Sequence, residues 1–219
     1  VDGRTEVYWV MPAGTFGSWN ATAPLPSSRV FHAAVSHGDS IYVIGGLEGF
    51  GSARATVFRG DVGDDHEIDG WVEARALPDA RYAHGALVHE DYLYVLGGAF
   101  SGSAATQTSW RAPFEEDGSL GEWESAMALP AAVLSHGATH AGDRVLLTGG
   151  LEAWTSSSDE TASALLGGGP VTWGPAAPLP APRFAHAAVR VGDDVLLLGG
   201  WEDFTVGIHD TVLRAQICQ

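Results

Sequence analysis

The sequence predicts an all-β chain folded as a β-propeller of four blades, and three observations carry that prediction. Unrelated residue types keep one register at an interval near fifty residues, each interval holds four short strand-like runs, and no stretch has helical periodicity. Glycine pairs close apolar runs at Gly45-Gly46, Gly97-Gly98, Gly149-Gly150 and Gly199-Gly200, in steps of 52, 52 and 50. Trp19, Trp71, Trp123 and Trp173 repeat those steps, as do the Leu-Pro pairs at Leu25, Leu77, Leu129 and Leu179 and the histidines His32, His84, His136 and His186.

One unit justifies the elements in order. Phe31-His32-Ala33-Ala34-Val35 is a short apolar run closed by a turn at Gly38-Asp39, and Ile41-Tyr42-Val43-Ile44 is β-branched and aromatic. The glycine pair lets the strand leave its sheet through backbone angles closed to other residues. After a variable loop, residues 55–62 alternate as a half-buried strand, and a turn leads into a fourth strand around Trp71-Val72. The indole is a large apolar wedge between neighbouring blades. Leu-Pro fixes an extended entry into the next unit, because proline restricts itself and its predecessor. A four-stranded unit at this interval is a propeller blade. The whole chain, 1–219, reads as one domain: partial outer strands in 1–26, then repeats at 27–78, 79–130, 131–180 and 181–219.

Strand counting leaves one strand over. Residues 6–10 match a third strand and Trp19 a fourth, while 210–217 form another third strand. Two architectures stay open: a closed four-bladed ring, which the complementary outer strands at the two ends favour, or an arc of a larger ring.

The pattern resembles the kelch repeat over nearly the whole chain. The marks are the apolar run ending in two glycines, the later tryptophan, the Leu-Pro step and an Arg-x-x-His segment. That segment reads Arg29-Val30-Phe31-His32, Arg81-Tyr82-Ala83-His84 and Arg183-Phe184-Ala185-His186. The third repeat departs, with Val133-Leu134-Ser135-His136 in its place. The resemblance implies rings of more often six or seven blades. Its tryptophan-rich, acidic, cysteine-poor form is similar to exported bacterial kelch proteins and implies an extracellular or periplasmic setting.

Composition excludes several functions. With 27 acidic residues against 11 basic ones the net charge is −16, which repels phosphate backbones and makes nucleic acid and anionic membrane poor partners. All the basic residues are arginine, so Schiff-base chemistry and a phosphate-loop lysine are excluded. No apolar stretch reaches the roughly 20 residues of a membrane helix. A single cysteine, Cys218, rules out an intrachain disulfide. Motifs of serine hydrolases, zinc proteases and nucleotide-binding loops are missing.

Two candidate sites emerge. His32, His84, His136 and His186 occupy equivalent positions, so a ring would point them at a common axis where imidazoles hold a divalent metal; the plainer reading is that each serves its own blade. The loops after the glycine pairs carry Glu48, Phe50, Phe100, Glu152, Trp154, Glu202 and Phe204, and carboxylates beside aromatic rings suit a sugar-binding surface. The expectation is a non-catalytic module that recognises a protein or glycan through its loop faces and needs no cofactor. The alternatives are a carbohydrate-active enzyme, similar to kelch mutarotases or oxidases, and a structural protein forming homo-oligomers through edge strands.

Overall fold

The structure, a computed structural model, describes residues 8–9, 20–49, 51–102, 105–154, 156–166, 172–205 and 207–216. Trp19, Phe50 and Cys218, singled out in the sequence, lie outside them. A two-stranded ladder of β1 (Tyr8–Trp9) and β2 (Asn20–Ala21) comes first. Blade one runs β3 (Ala33–His37), β4 (Ser40–Ile44), a small hairpin of β5 (Leu47–Glu48) and β6 (Ser52–Ala53), then β7 (Val57–Asp61) and β8 (Val72–Ala74). Blade two is β9 (Gly85–His89), β10 (Tyr92–Leu96), β11 (Ser109–Pro113) and β12 (Glu124–Ser125). Blade three repeats the plan of blade one with β13 (Gly137–Ala141), β14 (Arg144–Thr148), the hairpin β15 (Leu151–Ala153) and β16 (Ser156–Ser157), β17 (Thr161–Leu165) and β18 (Gly174–Pro175). Blade four shows three strands among the described residues: β19 (Ala187–Val191), β20 (Asp194–Leu198) and β21 (Val212–Gln216). Every pairing is antiparallel and in sequence order, and no helix is found among the described residues.

The first strands β3, β9, β13 and β19 stand side by side as the inner column. Central strands supply the core: Tyr42 and Ile44 of blade one, and Leu93, Val95 and Leu96 of blade two, are fully buried. Burying such side chains contributes about 1.5–3 kcal/mol each, which a lone two-sided sheet cannot collect without a neighbour.

The glycine pairs are where blades touch. Gly45 and Gly46 have φ of 57° and 89°, and a Cβ on Gly45 would lie 2.7 Å from the Arg81 carbonyl of the next blade. No L side chain fits that approach. The same closeness lets the Gly46 amide donate to the Arg81 carbonyl at 2.9 Å, and Gly98 and Gly150 repeat the bond to Val133 and Arg183 at 2.8 Å.

Blade four breaks the pattern on its outward face. A Cβ on Gly199 would meet only the His209 carbonyl, at 3.6 Å. Leu198 is 39 % exposed where its equivalents Ile44 and Leu96 are 0 %, and Val189 and Val191 are exposed as well. Of the two architectures left open, the described residues therefore form the arc: no first strand packs behind β19.

The predicted wedge is observed. Trp71, Trp123 and Trp173 are half-buried, and their indole N–H groups donate to the carbonyls of Ala23, Arg75 and Ala128 at 2.9, 3.2 and 2.8 Å. Trp71 closes a cluster with Leu25, Val43, Phe58 and Ile41. Leu179, Leu197, Leu213 and Val195 form the equivalent cluster in blade four, without an indole among the described residues. A cleft of about 480 Å³ stands there instead, lined by Leu146, Pro180 and the same leucines.

Candidate functional site

The Arg-x-x-His segment builds the rim of the inner column. Arg81 is fully buried; its guanidinium donates to the Gly97 carbonyl at 2.8 Å and the Thr108 hydroxyl at 3.0 Å, and pairs with Asp79. Arg183 does the same with the Gly199 carbonyl at 2.6 Å and the Thr211 hydroxyl at 2.9 Å, and Arg29 reaches the Thr56 hydroxyl at 2.6 Å. Each arginine thus ties the entry of its blade to the start of the third strand. Burial pushes all three guanidinium pKa values down from their ordinary value.

Three residues on, the histidines enter the blade junctions. His84, His136 and His186 are buried, with rings against the glycines of the preceding blade: His84 beside Gly45, His136 beside Gly85 and Gly97, His186 beside Gly137. His186 shares a 2.8 Å hydrogen bond with the Thr148 hydroxyl. Burial holds these imidazoles neutral, lowering His84 to about 3 and His136 and His186 to about 4; the Arg81 charge adds to the effect at His84 and the Arg183 charge at His186. His32 faces no preceding first strand and is exposed. The four rings succeed one another along the column rather than converging, and among the described residues they supply no three nitrogens close enough for one ion. A different cluster gathers one imidazole and two carboxylates: His89, Glu90 and Asp143, at the hairpin ends of the strands, bring one ligand atom each within 4.8 Å of one another.

The residue before each histidine is left-handed: Phe31, Ala83, Ser135 and Ala185 have φ of 52–53°. That turn lifts the residue after each arginine, and after Val133 in blade three, to pair with the residue after each glycine pair, as Val30–Leu47, Tyr82–Ala99, Leu134–Leu151 and Phe184–Trp201 bridges. The bridges place aromatic rings of successive blades in contact. Phe31 meets Tyr82 at 6.4 Å between centroids, Tyr82 meets Trp154 at 6.3 Å, Trp154 meets Phe204 at 6.4 Å, and Phe184 joins Phe204 at 4.9 Å and Trp201 at 6.4 Å. The seam crosses all four blades. Phe31, Trp201 and Phe204 are 54 %, 41 % and 52 % exposed.

The predicted loop residues divide between this seam and structural work. Trp154 and Phe204 belong to the seam. Glu48 is taken up by ion pairs with Arg29, at 3.6 Å, and with Arg54. Phe100 lies under the Arg81 guanidinium at 5.7 Å. Glu202 is half-buried, its backbone amide bonded to the Gly207 carbonyl, while Glu152 is exposed. Sequence reasoning missed Phe31, Tyr82, Phe184 and Trp201. The first three sit inside the Arg-x-x-His segment, at positions whose residue type changes from blade to blade.

Blades of antiparallel strands that gather one aromatic seam along a single set of loops define a repeat propeller. The chain is similar to kelch-repeat proteins: the family model described as the Kelch motif matches residues 28–59. It is 28 % identical over 137 residues to Kelch-like protein 38 of Rattus norvegicus, covering 61 % of this chain and 22 % of that protein. It is 33 % identical over 85 residues to Beta-scruin of Limulus polyphemus, covering 38 % of this chain and 9 % of that protein. Among solved structures it is similar to that of YjhT, with a TM-score of 0.75, 18 % identity, and coverage of 90 % of this chain and 66 % of that one. The chain thus spans under a quarter of the length of these curated relatives.

Proposed function

We propose that this propeller is a recognition module that binds a protein partner along the aromatic seam. The seam itself carries the proposal. Rings that stay exposed although the fold gives them neighbours supply rigid apolar area at low entropic cost, the chemistry that dominates protein interfaces. The carboxylates expected to accompany them for sugar binding are partly committed elsewhere, Glu48 to arginine and Glu202 to half-burial, so a peptide surface suits the site better than a pyranose. Selection of a displayed peptide library on the immobilised chain tests this. Enriched peptides whose binding falls at least about tenfold on Trp201→Ser or Phe204→Ser support it, about 1.4 kcal/mol for an anchoring aromatic. Enrichment indifferent to both substitutions, or binding seen only on a glycan array, would overturn it.

A second reading is favoured by blade four. Its edge strand β21 carries no outer neighbour among the described residues and flanks the cleft that an indole fills in blade one. We infer that a further tryptophan-bearing strand pairs there, joining copies of the chain edge to edge. Solution mass decides it: a particle that stays monomeric across concentration ends this reading.

A further inference from the structure

We propose that blade three holds a receptor pocket for a guanidinium group, an arginine head presented by the partner. The proposal rests on the protein-binding reading above and names what that partner inserts. In blades one, two and four a buried arginine fills the angle between blade entry and third strand, with a threonine hydroxyl as acceptor: Arg29 with Thr56, Arg81 with Thr108, Arg183 with Thr211. Blade three has Val133 for the arginine and Glu160 for the threonine. The register is secure, because the Gly149 amide takes the Glu160 carbonyl as Gly45, Gly97 and Gly199 take those of Thr56, Thr108 and Thr211.

The two changes act together. Loss of the arginine alone leaves a void, and drift would fill a void with apolar bulk. Here the site loses its cation and gains an anion. The void persists as a cleft of about 50 Å³ lined by Val133, Leu147, Gly149, Glu152, Ser158 and Glu160. That is room for a small planar head and too little for an indole. Its floor is apolar and its rim carries two carboxylates with no ion pair among the described residues. Glu152 holds the position from which Glu48 pairs with Arg29 in blade one, and the Gly149 carbonyl holds the position of the Gly97 and Gly199 carbonyls that accept from Arg81 and Arg183. The glycine carbonyl and the loop carboxylate that elsewhere face the chain's own guanidinium are in place, Glu160 stands where the threonine hydroxyl accepts, and the guanidinium is supplied from outside. A planar fork of five donors matches such an array, whereas a lysine ammonium does not. Trp154, in the seam, lies two residues from Glu152 along the chain.

The test is a titration of the purified chain with N-acetyl-arginine-N-methylamide, read by the methyl NMR signals of Val133 and Leu147. Saturable shifts are expected, with affinity at least about tenfold weaker for the lysine analogue and for the neutral citrulline analogue. The double substitution V133R/E160T rebuilds the resident arginine of the other blades and should abolish the response. Should it fail to fold, the pair E152Q/E160Q keeps the shape, removes the charge, and should weaken binding at least about tenfold. Shifts that never saturate, that citrulline reproduces, or that persist in these variants would overturn the proposal. The titration reads this pocket alone, so its failure leaves peptide binding by the seam standing, and failed peptide selection leaves the titration result standing.

Discussion

The backbone amide of Ala83 donates to the carbonyl of Phe31 at 2.8 Å, across the junction of blades one and two, and both residues are left-handed. Ser135 repeats the bond to Ala83 at 2.7 Å and Ala185 to Ser135 at 2.8 Å, so a chain of hydrogen bonds laces the rim of the inner column. The strain of about 1–2 kcal/mol at each left-handed residue is held by this lacing and by the bridges beside it.

Ala83 is therefore sensitive to one substitution and tolerant of another. Ala83→Pro deletes the donor and cannot adopt a φ of 52°, and should cost about 3 kcal/mol or more. Ala83→Gly relieves the angle while loosening the unfolded chain, and should stay within about 1 kcal/mol of the parent. Urea unfolding of the two variants checks the contrast.

The buried histidines set an acid limit. Their folded-state values lie below the unfolded value of 6.5, at about 3 for His84 and about 4 for His136 and His186, so the unfolded chain binds more protons. The stability their neutral forms allow is complete above pH 6.5 and is lost as pH falls from there toward 4. Each ring contributes a slope of up to about 1.4 kcal/mol per pH unit in that window. His136→Gln should flatten the pH dependence of the urea midpoint between pH 6 and 4; an unchanged slope would mean that the ring titrates in the folded state.

Arg81 and Arg214 make opposite kinds of ion pair. Arg81 is fully buried, and Arg81→Met strands Asp79 and the Gly97 carbonyl, with an expected loss of about 3–5 kcal/mol. Arg214 is exposed beside Asp194, and Arg214→Met should cost no more than about 1 kcal/mol. Denaturation midpoints measured side by side reveal whether the segment carries stability.

Gly45 and Gly199 have almost the same φ but different surroundings. Alanine costs about 1–2 kcal/mol at either through the angle alone. At Gly45 it must also displace the Arg81 backbone of the next blade, and the total should reach about 2–5 kcal/mol. Equal losses at the two positions would show that blade four is covered in solution by something packed as closely as a first strand.

The repeat made the architecture legible, because paired glycines, the indole and Leu-Pro each answer a local constraint that recurs in every blade. The open end was not legible, since β19 has the same pattern as β3, β9 and β13, and nothing in a strand's own residues says whether a neighbour lies behind it. Equivalence in the repeat also misled for the histidines: it fixes equal positions in successive blades, and successive junctions of an arc do not share one point. The seam depends on a left-handed residue at Phe31, Ala83, Ser135 and Ala185, which no residue type there announces. The departure at Val133 is legible in the repeat, but its partner change at Glu160 takes its meaning from the contact between Arg81 and Thr108, which only the fold brings together.

An array of blades coupled only to their neighbours loosens from whichever side is bare. With Val189 and Val191 of β19 and Val212 of β21 open to water, amides of the fourth unit should trade their protons for deuterium first, and those of Leu93 and Val95 in the second last. Unfolding would then close in on the middle blades from the two bare sides of the arc, with the fourth unit leading.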